Sequence, residues 1–233
     1  MCLKWFSERQ FRITASKCKP AFNFGKEIIA GNGHKIVYRW MKKNFWFPEQ
    51  IQTQFMRYGL EEEPKARSAY TCATGSSVKE IGMWVNGAFP YLGASPDGLI
   101  LDFESNIIGL IEIKCLKIFK ETSVKDLLEQ IKQGKVSSTL LGRQCFTVVG
   151  DNLVLKNSHM YYYQVQLQLL ITELPFCEFV LHSPKGPPSV QRIMRDSCFQ
   201  DHLRENLSVF WHKVFIPEYF EMRVPRRLSP FVL

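Results

Sequence analysis

Two neighbouring stretches decide the fold: Ser95-Pro96-Asp97-Gly98-Leu99-Ile100-Leu101 and Ile107-Ile108-Gly109-Leu110-Ile111-Glu112-Ile113-Lys114. Both are aliphatic and β-rich, and the polar Glu104-Ser105-Asn106 between them reads as a turn. An antiparallel hairpin closed there sets Asp97 opposite Glu112. Residues two apart on a strand share a face, so Glu112 and Lys114 point one way and Ile111 and Ile113 the other. The run 107–111 reads as a buried central strand, where an unpaired Glu or Lys is costly. Adjacent carboxylates repel, and a hard divalent cation such as magnesium or manganese relieves the repulsion, with the Ile113 carbonyl completing the shell. Lys114 is then placed to orient or deprotonate a water, or to stabilise developing negative charge. An isolated D…ExK also fits an ordinary surface hairpin; the buried run ahead of it favours the chemical reading.

Working outward, residues 3–12 and 14–22 read as two short helices meeting near Thr14-Ala15-Ser16. Residues 34–46 read as a basic amphipathic helix interrupted at Phe47-Pro48. Residues 49–57 and 60–73 read as helices separated by Gly59, which puts Glu61-Glu62-Glu63 in a first turn, where negative charge is favourable. Strands are expected at 81–85, 92–101 and 107–115, and a hairpin at 145–149 and 153–155. Helices are expected at 122–133, 159–173 and 198–214, with strands at 176–182 and 190–194. This order gives an α/β (α+β) architecture with a central mixed sheet flanked by helices. It is read as one unit over 1–233: a basic helical part (1–57), a core (58–183) and a C-terminal strand and helix (184–233).

The chain has 233 residues, 45% hydrophobic and 22% charged, which excludes disordered, collagen-like and coiled-coil classes. Its apolar runs fall far short of the ~18 residues that cross a bilayer, and its first residues lack a signal-peptide core. An intracellular, soluble protein is expected, with nothing to choose between nucleus and cytoplasm. The net charge of +8 lies entirely in residues 1–57, which hold 11 basic and 3 acidic residues. A basic segment on a neutral body suggests a polyanionic partner. Seven cysteines without a CxxC argue against a zinc ribbon, an iron–sulfur cluster or a disulfide framework, and Cys115 and Cys177 read as buried thiols.

Asp97…Glu112-Ile113-Lys114 resembles the PD-(D/E)xK nuclease motif, and three further blocks narrow the resemblance to the lambda-exonuclease/YqaJ viral recombinase family. The first block is Trp5-Phe6-Ser7-Glu8-Arg9 leading to Arg12-Ile13-Thr14-Ala15-Ser16. By resemblance Arg9 and Ser16 hold the 5′-phosphate of a DNA end, with Arg12 the weaker alternative to Arg9. The chemistry is sound: a guanidinium fork suits phosphate, and a serine at a helix start adds hydroxyl and N–H donors. The second block, Gly59-Leu60-Glu61-Glu62-Glu63-Pro64-Lys65-Ala66, is similar to the family's G-x-x-x-E-x-x-A helix. Its spacing picks Glu63 as the carboxylate near the metals and leaves Glu61 and Glu62 as solvated charges. The motif region adds Ser95 as a further contact to the terminal phosphate. The last block, Tyr161-Tyr162-Tyr163-Gln164-Val165-Gln166-Leu167-Gln168, resembles the family's Y-x-x-Q-x-Q helix and implicates Gln164 in the catalytic site with Tyr161 as its companion. Tyr161, Gln164 and Gln168 share one helical face. Segment 24–50 (Phe24, Lys26, Lys35, Tyr38, Arg39, Trp40, Lys42, Lys43, Phe45, Trp46) matches no family block. It reads as a core helix with a basic outer face, or as a stacking surface for a DNA strand.

The resemblance implies a restriction-endonuclease-like core and a magnesium-dependent 5′→3′ exonuclease acting on ends of linear duplex DNA in recombination or end processing. Manganese would substitute, and two ions are expected: one on Asp97, Glu112 and the Ile113 carbonyl, and a second on Asp97 and Glu63. A homotrimer around DNA and a single-strand annealing partner are further implications. A structure-specific endonuclease on the same metal core, and a non-catalytic DNA-binding module on a nuclease fold, stay open as alternatives.

Overall fold

The computed structural model describes residues 3–31, 36–47 and 53–229, with the side chains of 3–6 and 36 outside that description. His34 and Lys35, the Pro48 break, residues 49–52 and the side chain of Trp5 therefore lie outside the described residues.

The centre is a five-stranded sheet in the order β2 (Ser77–Lys79), β4 (Gly98–Leu101), β5 (Ile107–Lys114), β8 (Phe176–Leu181), β9 (Ser189–Met194). β5 and β8 run parallel and the other neighbours antiparallel. The two middle strands are largely apolar because both faces are covered: every residue of β8 is buried, and so are Gly109 to Ile113 of β5. Gly109 is required there, since a Cβ would stand 2.5 Å from the Phe176 ring. A parallel pair needs a long crossover. It is supplied by α5 (Val124–Lys132), α6 (Ser138–Gly142), the hairpin β6 (Phe146–Val149)–β7 (Asn152–Leu155) and α7 (Met160–Thr172).

The β4–β5 hairpin has the expected register. Gly98 pairs with Ile111 and Leu99 with Leu110, which carries Asp97 to the place opposite Glu112. Asp102 closes its turn, accepting from the N–H groups of Glu104 (2.9 Å) and Asn106 (2.8 Å). A bulge shifts the register by one at the turn end, so that Leu101 faces Ile107.

Several sequence expectations are corrected. The run 92–101 is not one strand: β3 (Leu92–Gly93) pairs in parallel with β1 (Ile13–Thr14), and Pro96, which has no N–H to give a ladder, separates it from β4. Residues 81–85 form no strand beyond a bridge between Trp84 and Ala94, and the edge strand falls at β2 instead. Finally, α4 (Gln54–Thr74) is a single helix running through Gly59 and Pro64. Interior glycine costs only about 1 kcal/mol against alanine, and tertiary packing of Ala66 and Tyr70 overrides both breakers. Tyr70 donates to buried Glu178 of β8, which also accepts from Arg192 of β9, fastening α4 to the sheet. The acidic triplet therefore sits in mid-helix, away from the helix N-terminus.

The second layer joins α2 (Cys18–Ile29), α3 (Ile36–Met41) and its π-helical turn Lys42–Trp46 to α8 (Ser197–Phe210) and, beyond a second π turn, α9 (Ile216–Glu221). α1 (Leu3–Gln10) precedes β1. Phe24 and Trp40 pack on Phe210 with ring centroids 5.6 and 5.3 Å apart, while Arg39, Lys42 and Lys43 are exposed. The described part of the 24–50 segment is thus core on one side and basic on the other. Cys177 is buried as expected, but Cys115 is only half-buried because it lies just past the end of β5. Among the described residues no helix is long and apolar enough to cross a membrane.

Candidate active site

Asp97, Glu112 and Lys114 meet at the end of the β4–β5 hairpin. Asp97 lies one pair beyond Gly98 and Ile111; its N–H donates to the Ile111 carbonyl (3.2 Å), and its Oδ2 accepts from the Ile113 N–H at 2.6 Å. The Ile113 backbone therefore runs beside the Asp97 carboxyl. Glu112 is 1% exposed. Lys114 Nζ and Gln164 Nε2 (2.5 Å) donate to its Oε1, and Gln168 Nε2 (2.6 Å) to its Oε2. Tyr161, one turn before Gln164 on α7, places its ring 4.7 Å from Lys114 Nζ. The helical face carrying Tyr161, Gln164 and Gln168 is laid directly on the Glu112–Lys114 pair.

The electrostatics follow from burial. Asp97 is pushed up to about 8, first by desolvation, then by the Glu112 charge and more weakly by Glu63, against the opposing pull of Lys114 and the Ile113 N–H. Burial pulls Lys114 down, but the Glu112 and Asp97 carboxylates outweigh it and hold the ammonium above its ordinary range. In this state Lys114 is a positioned cation and hydrogen-bond donor, not a base. Once Asp97 is ionised, two carboxylates against one ammonium form a donor set of hard oxygens with surplus negative charge, which fits a divalent cation. Among the described residues no three His, Cys, Asp or Glu side chains converge as a ligand set, so such an ion would draw on Asp97, Glu112 and backbone.

Glu63 lies on α4, close enough to raise Asp97, but its carboxylate is held by Arg67 at 2.5 Å. Arg67 also donates to the Asp97 carbonyl (3.3 Å) and to Glu80 (2.5 Å). Glu62 is not the solvated charge its sequence position suggests: the helix turns it inward, where it is buried, paired with Lys65 at 2.6 Å and 3.5 Å from the buried His182 ring. The Lys65 hydrogen bond holds Glu62 below its usual range, while burial lowers His182 despite the facing carboxylate.

A second cluster adjoins the first. Arg9 on α1 donates to Ser95 Oγ (3.2 Å) and to Ser16 Oγ (3.4 Å), and Thr14 Oγ1 stands 3.4 Å from Ser16. Ser95, 86 positions from Arg9, is brought to Arg9 and Ser16 because β1 pairs with β3, which leads into Ser95. Ser95 is two residues before Asp97, so the cluster and the carboxylate pair share a loop. Burial pulls Arg9 down, and burial and then Arg9 pull Lys17 down. Arg12 is engaged elsewhere, with Glu8 (2.5 Å) and the Pro90 carbonyl (2.9 Å).

Sequence reasoning passed over Gln168, Arg67 and Lys17 as site residues. The i, i+4 spacing from Gln164 was a usable signal for Gln168. Arg67 stands four residues after Glu63, the usual helical ion-pair spacing. Nothing local marks Lys17 apart from its place beside Ser16.

Residues 4–175 match the YqaJ-like viral recombinase domain. Among solved structures the chain is similar to an alkaline exonuclease (LHK-Exo) from Laribacter hongkongensis, at 25% identity and a TM-score of 0.62, with 97% of this chain and 100% of that chain covered. The LHK-Exo complex with dAMP gives a TM-score of 0.64 at the same identity and coverage. A phage-related exonuclease from Haemophilus somnus 129PT, 15% identical with a TM-score of 0.53 over 85% of this chain and 91% of its own, is a likeness of fold alone. A comparison with curated proteins gives no match. The matched region includes both clusters and the α7 face, and the chain belongs to the YqaJ-like viral recombinase domain family.

Proposed function

We propose that this protein is a magnesium-dependent DNA exonuclease that degrades linear duplex DNA from its ends in the 5′→3′ direction, in recombination or end processing. The observation that carries the reading is the adjacency of opposites. A cluster of one guanidinium and two serine hydroxyls, suited to a terminal phosphate, lies two residues along the chain from a carboxylate pair, one member buried and one half-buried, suited to a metal ion. The similarity to an alkaline exonuclease crystallised with dAMP supports the same substrate class.

In this reading Arg9, Ser16 and Ser95 grip the 5′-phosphate and set which phosphodiester reaches the centre. Asp97, Glu112 and the Ile113 carbonyl hold the magnesium ion, for which manganese substitutes. When bound, the ion neutralises charge on the scissile phosphate and lowers the pKa of the attacking water. Lys114 orients that water and offsets charge developing on the phosphate oxygens. Gln164 and Gln168 fix both oxygens of Glu112, and the Tyr161 ring restricts the Lys114 ammonium. A second ion on Asp97 and Glu63, a homotrimer and an annealing partner belong to the same family reading; a single unit over 1–233 and an intracellular, soluble setting are carried from composition, apolar runs and element order.

Digestion of linear 5′-phosphorylated duplex with magnesium tests the proposal, with a closed circular plasmid, a chelator control and Lys114→Ala in parallel. Loss of the linear substrate alone, abolished by chelation and by the substitution, supports it. Cleavage of the circle would instead establish an endonuclease, and no cleavage with magnesium or manganese would point to a binding module.

A further inference from the structure

We infer that Arg67 is a built-in counter-cation that keeps the free protein at one bound divalent ion, by occupying the charge position that a second ion on Glu63 would take. The inference rests on the proposed metal-dependent site and concerns its occupancy.

The Arg67 side chain is 14% exposed and sits between three acceptors. Nη1 lies 2.5 Å from Glu63 Oε1 and 3.3 Å from the Asp97 carbonyl; Nη2 lies 2.5 Å from Glu80 Oε1. One guanidinium therefore ties α4 to the Asp97 loop and to the segment after β2. Glu63 and Arg67 are four residues apart on one continuous helix, so their pairing needs no loop to close. A guanidinium keeps its proton under all working conditions, so its charge cannot be shed to admit another cation. An ion on Glu63 would have to displace Arg67 or accept a fixed positive charge at contact distance. The carboxylates left for an ion are Asp97 and Glu112, which belong to the first position.

Counting bound manganese on the metal-free protein tests this. Electron paramagnetic resonance of the free ion measures occupancy directly, with calorimetry for affinity and circular dichroism for folding. Wild type is expected to bind one ion, Arg67→Gln two, and the double variant Glu63→Gln/Arg67→Gln one again, because the second ion needs the released Glu63. Two ions on wild type, or one on folded Arg67→Gln, would overturn the inference while leaving the metal-dependent reading intact. No ion on wild type would end both. Should Arg67→Gln fail to fold, Glu63→Gln decides. It is expected to keep one ion with affinity within about threefold of wild type, and a loss of about tenfold or more would make Glu63 a ligand already in the free protein and overturn the inference.

Discussion

The carboxylate centre and the Arg9 cluster lie two residues apart at Asp97 and Ser95, yet they are built in opposite ways. The centre is local: two adjacent strands set Asp97 against Glu112, with Glu112 buried and Asp97 half-buried. The cluster is assembled from α1, the turn after β1 and the loop before β4; its charge is positive, and Ser16 is exposed. In the proposed reading one end takes a metal ion and the other the terminal phosphate of a DNA end. Losing the first end should remove chemistry. Losing the second should remove selection.

The largest effect expected is for Lys114→Ala. Removing a group that orients water and offsets developing charge should lower single-turnover cleavage by about 10²- to 10⁴-fold. Duplex affinity in calcium should stay near wild type, and a rate within a few-fold would detach Lys114 from the chemistry. Arg9→Ala removes a charge-assisted hydrogen-bond donor worth about 1.5–3 kcal/mol, so discrimination between 5′-phosphate and 5′-hydroxyl duplexes should fall by roughly 10- to 100-fold. Equal losses on both substrates would make Arg9 a general backbone contact and blur the contrast between the two ends.

A smaller, graded effect concerns pH. Asp97 is raised to about 8, so in the metal-free protein its carboxyl is protonated below that value and an incoming ion must displace the proton. Manganese affinity should therefore climb by at most about tenfold per pH unit between roughly 6 and 7.5 and level off above 8. The sign follows from the raised value: this group's contribution to metal-free stability is present at low pH and lost as pH rises from about 4 through 8. A flat affinity profile over that range would show that Asp97 is not the carboxyl the ion meets. The smallest effect is expected at the outer face of the 36–47 segment. Lys42→Ala/Lys43→Ala should leave cleavage at moderate salt within about twofold, because exposed charges act through a field that salt screens. A larger loss would place DNA on that face as well.

The same local-versus-assembled contrast explains what the sequence could show. The hairpin register was legible to within one residue, because an apolar run, a polar turn and a period of two leave two neighbouring pairings, and the first sets Asp97 against Glu112. The bulge beside Leu101 was not, since it answers to twist and packing rather than composition. The face shared by Tyr161, Gln164 and Gln168 was legible from helical spacing alone, but what it covers was not. α4 misled the reading because Gly59 and Pro64 are local punctuation, while the helix is decided by Ala66 and Tyr70 packing on the sheet. Splitting that helix leaves Glu62 in solvent, whereas it is buried and paired with the exposed Lys65, and it hides the place of Arg67 between Glu63 and Asp97. The Arg9–Ser16–Ser95 cluster came from family resemblance; spacing alone cannot bring residues 86 positions apart together.

The most direct measurement uses a linear duplex with a 5′-phosphate at one end, a 5′-hydroxyl at the other, and a different label on each strand's 3′ end, digested with magnesium and followed over time. The account predicts that the strand carrying the 5′-phosphate is lost progressively from that end, leaving the other strand intact until late. Equal loss of both strands from both ends, or internal cuts that ignore the ends, would contradict it.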